Sequence, residues 1–334
     1  MMRRCSVRIA SLLSGRFRQL NHGKQSDSGL KRIAAVALAA LVSAAAFAGC
    51  GSSDSKGTAS IQIGDEEYSL KEGIRTYLLL GVDTEGSLQE KKEPGLGGQS
   101  DAIYLLVCDK KQNRMRIIGV PRDLMTEIRV YLPSGEFNGT STDHLTLQYA
   151  FGDGREKSCL LTQEVVSSLF YGIPIDGYVA MNLGAAPEMA DALGGVEVVV
   201  PDDSAVMEES SFVKGAEVTL DKSNVKKFLR FRDTDVSLSA FTRMERHKAF
   251  FKGCARKVKK KIMEDPSSLP ELYQKLSPLI LTNISLEDCR ELAGIELDEN
   301  IEIVPGSFRE GDFFEEFYAD ESALRDLVIR VFCK

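Results

Sequence analysis

The chain has 334 residues, 27% of them charged and 43% apolar, with a formal net charge of −7 and no tryptophan. This is globular composition; it excludes a disordered, collagenous or polytopic membrane protein, and the negative balance argues against nucleic acid as a partner. The average hides a split: residues 1–32 hold eight Lys/Arg against Asp27 alone, a net of +7, which leaves −14 on the remaining 302.

The basic segment leads into Ile33–Gly49, 17 residues without a charge. A spanning helix needs about 17–25 apolar residues and a signal-peptide core about 7–15, so length leaves both open. Basic residues ahead of the run hold that end in the cytoplasm. The chain beyond Cys50 is therefore expected on the extracytoplasmic face of the cell membrane. Phe47-Ala48-Gly49-Cys50, followed by polar Gly51–Ser55, resembles a bacterial lipobox and makes Cys50 a lipidation candidate. Ala46-Phe47-Ala48 also fits an ordinary cleavage site, and an uncleaved membrane anchor over residues 33–50 is the third reading. Residues 51–73 are polar and Gly/Ser-rich and read as a flexible linker with a short strand at Ile61–Ile63.

From residue 74 the pattern changes. Thr76–Val82, Ala102–Cys108 and Met115–Val120 are short apolar runs, predicted as buried strands, with a Gly/Pro-rich loop between the first two. Ile128–Leu132 reads as an edge strand closed by a Pro133-Ser134-Gly135 turn. A short helix is expected over His144–Phe151 and a longer one over Leu160–Phe170, capped by Ser158. A strand follows at Tyr178–Met181, then a helix over Ala186–Leu193 stopped by Gly194-Gly195, then a strand at Val196–Val200. A loop covers 202–220, and Asp221 is placed to cap a helix reaching Leu229. Thr242–Met263 is a long basic helix; further helices fit Leu269–Leu281 and Leu286–Ala293. A strand at Ile301–Val304, a Pro-Gly turn and a helix over Glu321–Phe332 close the chain. Interleaved strands and helices predict a single α/β (α+β) domain over residues 74–334, a central mixed sheet flanked by helices.

No CxxC pair, P-loop, HExxH or GxSxG motif occurs, and the histidines are only His22, His144 and His247. Cys108 and Cys254 fall in apolar or helical runs and read as small core residues. What remains is acids and arginines at strand ends. Asp83 ends the first strand, Asp101 opens the second after Gly97-Gly98-Gln99-Ser100, and Pro121-Arg122-Asp123 follows the third. Carboxylates at neighbouring strand ends converge readily on one cation, and so few ligands suit Mg²⁺ (or Mn²⁺) beside substrate phosphates. Gly95, Gly97 and Gly98 would let backbone approach such a ligand. The plainer alternative is that Asp83 and Asp101 are turn residues. A cationic set comprises Arg230 and Arg232, then Arg243, Arg246 and His247 on the long helix. Arginine forks match phosphate oxygens, although such residues also serve as salt-bridge partners. The lysines from Lys248 to Lys261 read as a solvated face or as a contact for anionic headgroups or polymer.

The order of these motifs resembles the LytR-CpsA-Psr cell-wall family over nearly all of residues 73–334. The matching pieces are TYLLLGVDTE (76–85), QSDAIYLLVCD (99–109), IIGVPRDLMTEI (117–128), QYAFGDG (148–154), YGIPIDGYVAMN (171–182), ALGGVEVVVPDD (192–203), LRFRDTD (229–235) and RMERHKAFF (243–251). The resemblance implies an extracytoplasmic, membrane-held phosphotransferase. It would move a glycopolymer such as teichoic acid or capsule from an undecaprenyl-pyrophosphate carrier to peptidoglycan, with the lipid in an apolar tunnel. It also implies that Asp83 and Asp101 bind the Mg²⁺ and that Arg122, Arg230, Arg232, Arg243 and Arg246 bind phosphate. Asp83 or Asp123 would serve as base for the acceptor hydroxyl.

Two positions depart from the family pattern. Gln99 stands where Arg is frequent, and His247 where Gln is frequent. A neutral imidazole can replace the Gln donor, whereas a protonated one adds charge. Two other functions share this site: a non-catalytic or regulatory surface protein binding lipid-linked polymer, and a prenyl-pyrophosphate pyrophosphatase.

Overall fold

The computed structural model describes residues 59–84, 88, 90–91, 93–231, 239–265, 271, 274–275, 277–285, 288, 291–292, 295–311 and 314–334. The apolar run at 33–49, the lipidation candidate Cys50 and Arg232 lie outside these, as does nearly half of the two helices expected between 269 and 293. Among the described residues no helix is long and apolar enough to cross a membrane. Two compact units are present: residues 186–253 form one, and the described residues before 186 and after 253 form the other.

The larger unit opens with a hairpin, β1 (Ser60–Ile63) and β2 (Glu66–Ser69), inside the stretch read as linker. Ile61 and Ile63 point inward and are buried. Leu70 then bridges to Cys333, and Lys71 N donates to Phe332 O at 2.8 Å. The three apolar runs are β3 (Ile74–Val82), β4 (Ser100–Asp109) and β5 (Arg114–Val120). All ten residues of β4 are buried, which is why Ala102–Cys108 within it is continuously apolar rather than alternating. A second hairpin joins β6 (Met125–Tyr131) to β7 (Phe137–His144) through the expected turn, where Gly135 adopts φ +83. The strand β7 was absent from the sequence reading because FNGTSTDH carries no apolar period.

Two helices follow, α1 (Thr146–Ala150) and α2 (Glu156–Leu169). Ser158 is not the cap of α2: it lies in the first turn, where its Oγ accepts from Gly154 N at 2.8 Å. Asp153 Oδ1 takes the capping role, accepting from Arg155 N at 2.8 Å and Ser158 N at 3.1 Å. Next comes β8 (Gly177–Asn182).

In the smaller unit, α3 (Ala186–Leu193) ends at Gly194 and Gly195 with φ of +71 and +84, as expected for a left-handed stop. The strands β9 (Val196–Val199) and β10 (Glu217–Leu220) pair antiparallel, so the expected 202–220 loop ends in a strand. Helix α4 (Val225–Arg230) starts later than expected, because Asp221 accepts from Ser223 N and Oγ instead of capping a helix. The long helix α5 (Ser239–Glu264) begins in this unit, and Phe212 packs edge-on to Phe228 at 5.3 Å.

The larger unit resumes with β11 (Ile280–Thr282), a strand where a helix end was expected, and β12 (Glu296–Ile303). The central sheet runs β11-β8-β3-β4-β5-β12. It is mixed: β8 pairs parallel with β3 and β12 with β5, while the other neighbours are antiparallel. The Pro305-Gly306 turn opens an unexpected hairpin of β13 (Gly306–Glu310) and β14 (Glu315–Ala319). Helix α6 (Glu321–Phe332) closes the chain as expected, its N-terminus capped by Asp320 through Ala323 N at 2.9 Å. Lys71 Nζ meets the other end, donating to Arg330 O at 2.6 Å and Val331 O at 2.8 Å. The mixed α/β class expected from the sequence is the one observed. Cys108 and Cys254 are buried free thiols, as expected.

Candidate active site

The acids gather where β3, β4 and β5 end. In the β3–β4 ladder Gly81 faces Ala102 but Val82 faces Ser100, so Asp101 is the extra residue of a β-bulge. A bulge turns a side chain out of its regular alternation, and here it turns the Asp101 carboxylate toward Arg122, whose Nη1 donates to Asp101 Oδ1. Arg122 Nε donates to Asp123 Oδ1 at 3.1 Å. One guanidinium thus holds a carboxylate from each of two strand ends. Burial works to lower the Arg122 pKa, and Asp101, Asp123 and Asp83 outweigh it, so this side chain is a permanent cation. Asp123 Oδ2 is buried without a hydrogen-bond partner.

Asp83 follows β3 directly. Its Oδ1 accepts from Gln99 N at 2.6 Å, and its own N donates to Gln99 O at 3.0 Å, which fixes Gln99 beside it. The Gln99 side-chain oxygen lies 3.5 Å from Thr146 Oγ1. Burial first, and the Asp101 charge second, push the Asp83 pKa up to about 6. Gly97 and Gly98 serve the protein's own packing. Gly98, at φ +85, has Asp83 and Thr84 in the place of a side chain, and Gly97 sits against Gly154. Gly95, at φ +95, faces open space.

A residue the sequence reading missed ties these parts together. Thr146 N donates to Arg122 O at 3.0 Å, and Thr146 Oγ1 donates to Ser100 O at 3.1 Å. It braces the backbone on both sides of the Asp101–Arg122 pair. No sequence signal marks it, since a Thr opening a short helix is ordinary.

The cationic set belongs to the smaller unit. Arg230 is the last residue of α4 and is half-buried. Arg243 and Arg246 lie on α5, 6% and 1% exposed. Both were expected to face phosphate, but Arg246 Nη1 donates to Phe231 O at 2.5 Å. Burial drives the Arg246 pKa well down, against an upward pull from Asp202. His247 is equally enclosed, with Nε2 3.2 Å from Leu229 O.

A divalent cation has to fit the acids as they stand. Among the described residues no three His, Cys, Asp or Glu side chains are grouped to hold a metal by themselves. Mg²⁺ does not require such a cage, because it is held by one or two carboxylates together with waters and substrate phosphates. Burial first and the Asp101 charge second raise the Asp83 pKa, and a cation at the two carboxylates would offset both. Asp83 and Asp101 therefore fit it.

The LytR_cpsA_psr family model matches residues 49–304. The chain belongs to this family. Among similar members is the Bacillus cereus protein named polyisoprenyl-teichoic acid–peptidoglycan teichoic acid transferase TagU, 26% identical over 279 residues, or 82% of this chain and 81% of that one. Similar folds include B. subtilis TagV, with a TM-score of 0.57 at 20% identity, over 78% of this chain and 97% of that one. TagT bound to LI-WTA gives a TM-score of 0.56 at 20% identity, over 78% of this chain and 90% of that one.

Proposed function

We propose that this LytR_cpsA_psr protein is an extracytoplasmic phosphotransferase. It would move a glycopolymer from an undecaprenyl-pyrophosphate carrier to a peptidoglycan hydroxyl, leaving a phosphodiester. The observation that carries the reading is the Asp83–Asp101–Arg122–Asp123 cluster at three adjacent strand ends, in a chain whose relatives are named for such a transfer. Phosphoryl transfer asks for positioning and charge stabilisation rather than a strong covalent group.

In this reading Arg122 takes up pyrophosphate oxygens beside the acids, and Arg230, Arg232 and Arg243 keep the phosphate-binding role that the resemblance implies. Asp83 and Asp101 would hold Mg²⁺, which supplies charge neutralisation at the phosphate oxygens. The acceptor hydroxyl oxygen forms the new P–O bond at the polymer-bearing phosphorus. The bridging P–O bond breaks, and the leaving group is the lipid monophosphate. Asp123 Oδ2 is the acceptor assigned to the hydroxyl proton, since it is buried and has no other donor. The prenyl chain is assigned to an apolar tunnel, and the chain to the membrane through residues 33–50, by anchor or by lipidation at Cys50.

The test is to incubate the full chain in detergent with a lipid-pyrophosphate-linked polymer, Mg²⁺ and a peptidoglycan fragment. Polymer on the fragment is the expected result. Release of phosphate products without transfer makes the protein a pyrophosphatase. No turnover, with Asp101→Ala binding the lipid as tightly as the parent, makes it a non-catalytic binder.

A further inference from the structure

A helix leaves its last carbonyls without intrahelical donors. At the end of α4 two such carbonyls, of Phe228 and Leu229, and that of Phe231 just beyond the helix, face side chains of α5. Arg246 Nη1 donates to Phe231 O at 2.5 Å and lies 3.5 Å from Phe228 O. His247 Nε2 lies 3.2 Å from Leu229 O. A carbonyl only accepts, so the imidazole carries its proton on Nε2 and donates. The Arg246 guanidinium also stands 5.9 Å from the centre of the Phe231 ring. Phe231 itself is extended, at φ −64 and ψ 126, so the chain leaves the helix where these bonds are made. Leu229 and Phe231 flank Arg230. Its backbone is thus pinned on both sides by adjacent residues of one helix.

We infer that Arg246 and His247 are positioning residues: they clamp the end of α4 so that Arg230 is presented to pyrophosphate at a fixed place, and neither touches phosphate. The clamp rests on the backbone contacts alone; what Arg230 binds rests on the transferase reading above. The negative end of the α4 dipole and the carbonyls of Phe228 and Phe231 stand in for the anion that the buried Arg246 otherwise needs. The inference also accounts for His247 in place of a glutamine. Both side chains offer one N–H to a carbonyl, and the clamp calls for a donor, not a charge.

The test uses the full chain, geranylgeranyl pyrophosphate with Mg²⁺ as probe, and ¹⁵N NMR of His247. The expected spectrum is a neutral His247 in the Nε2–H form, unmoved by the probe. An Nδ1–H tautomer, or a His247 signal that shifts as the probe binds, overturns the clamp. His247→Gln is expected to keep transfer within about twofold, and His247→Leu to weaken probe binding about tenfold. Arg246→Lys keeps the charge without the fork and should resemble His247→Leu; should it fail to fold, the His247 pair carries the test. In the Arg230→Ala background, His247→Leu should cost nothing further, because the clamp acts through Arg230. Additive losses overturn that. If Arg230→Ala alone leaves probe affinity unchanged, the pyrophosphate reading of Arg230 fails, and the tautomer still decides the clamp.

Discussion

Gly98 lies directly against the Asp83 carboxylate. A Cβ on Gly98 would stand 2.8 Å from Asp83 Oδ1 and 2.4 Å from Thr84 Cγ2, and the backbone there is at φ +85. Neither demand can be met by an L side chain without moving Asp83. Gly98→Ala is therefore expected to cost about 1–3 kcal/mol in chemical denaturation and to lower transfer at least about tenfold. Unchanged turnover in Gly98→Ala would mean that Asp83 need not be held where it is.

Asp83 sets a pH dependence of stability. Its folded pKa, about 6, lies above the ordinary 3.8, so the folded state keeps a proton that the unfolded chain releases. The contribution is present below about pH 4 and is lost as pH rises through 6. Thermal melts in EDTA should therefore show a falling midpoint across that window. Asp83→Asn should remove the fall, leaving the metal-free protein more stable by about 1–3 kcal/mol at pH 7.5 and inactive. Mg²⁺ should raise the midpoint of the parent more at pH 7.5 than at pH 5, and should leave Asp83→Asn unmoved.

Arg122 neutralises Asp101, whose side chain is only 2% exposed. Arg122→Leu strands that charge and is expected to cost about 3–5 kcal/mol. Adding Asp101→Asn should restore most of the stability but none of the transfer, measured as denaturation midpoint and turnover on the same preparations. Recovery of turnover in the double variant would remove both residues from the chemistry.

Thr146→Val keeps the shape of the side chain and deletes its donor to Ser100 O, leaving that bond unmade. A loss of about 1–2 kcal/mol is expected. The backbone bond from Thr146 N to Arg122 O survives the change, so what is lost is the brace on Ser100 beside Asp101, and kcat should fall more than KM rises. Equal stability and unchanged kcat would make the brace dispensable.

The sequence made some of this legible for definite physical reasons. Strands β3 to β5 are covered on both faces, so their apolar runs are unbroken, and Gly194-Gly195 marks the end of α3 because both adopt positive φ. Strand β7 carries polar residues on a two-stranded ribbon and had no pattern to read. The bulge at Asp101 depends on the register against Val82, which only pairing reveals. The sequence puts Arg243 and Arg246 on the long helix, but the sequence does not say that the Arg246 end meets backbone carbonyls. Residues 1–58, Arg232 among the arginines, and much of 266–294 lie outside what the structure describes.

The clasp of Leu70 with Cys333, and of Lys71 with the last turn of α6, has a mechanical consequence. Tension entering through the N-terminal segment reaches these bonds before it reaches β3, whose far end carries Asp83. The load is diverted into the carboxy-terminal helix, and the strand bearing the carboxylate is spared. A pulling experiment on the chain should accordingly record an early, small rupture that frees α6 and β1–β2, followed by a larger one as the central sheet yields.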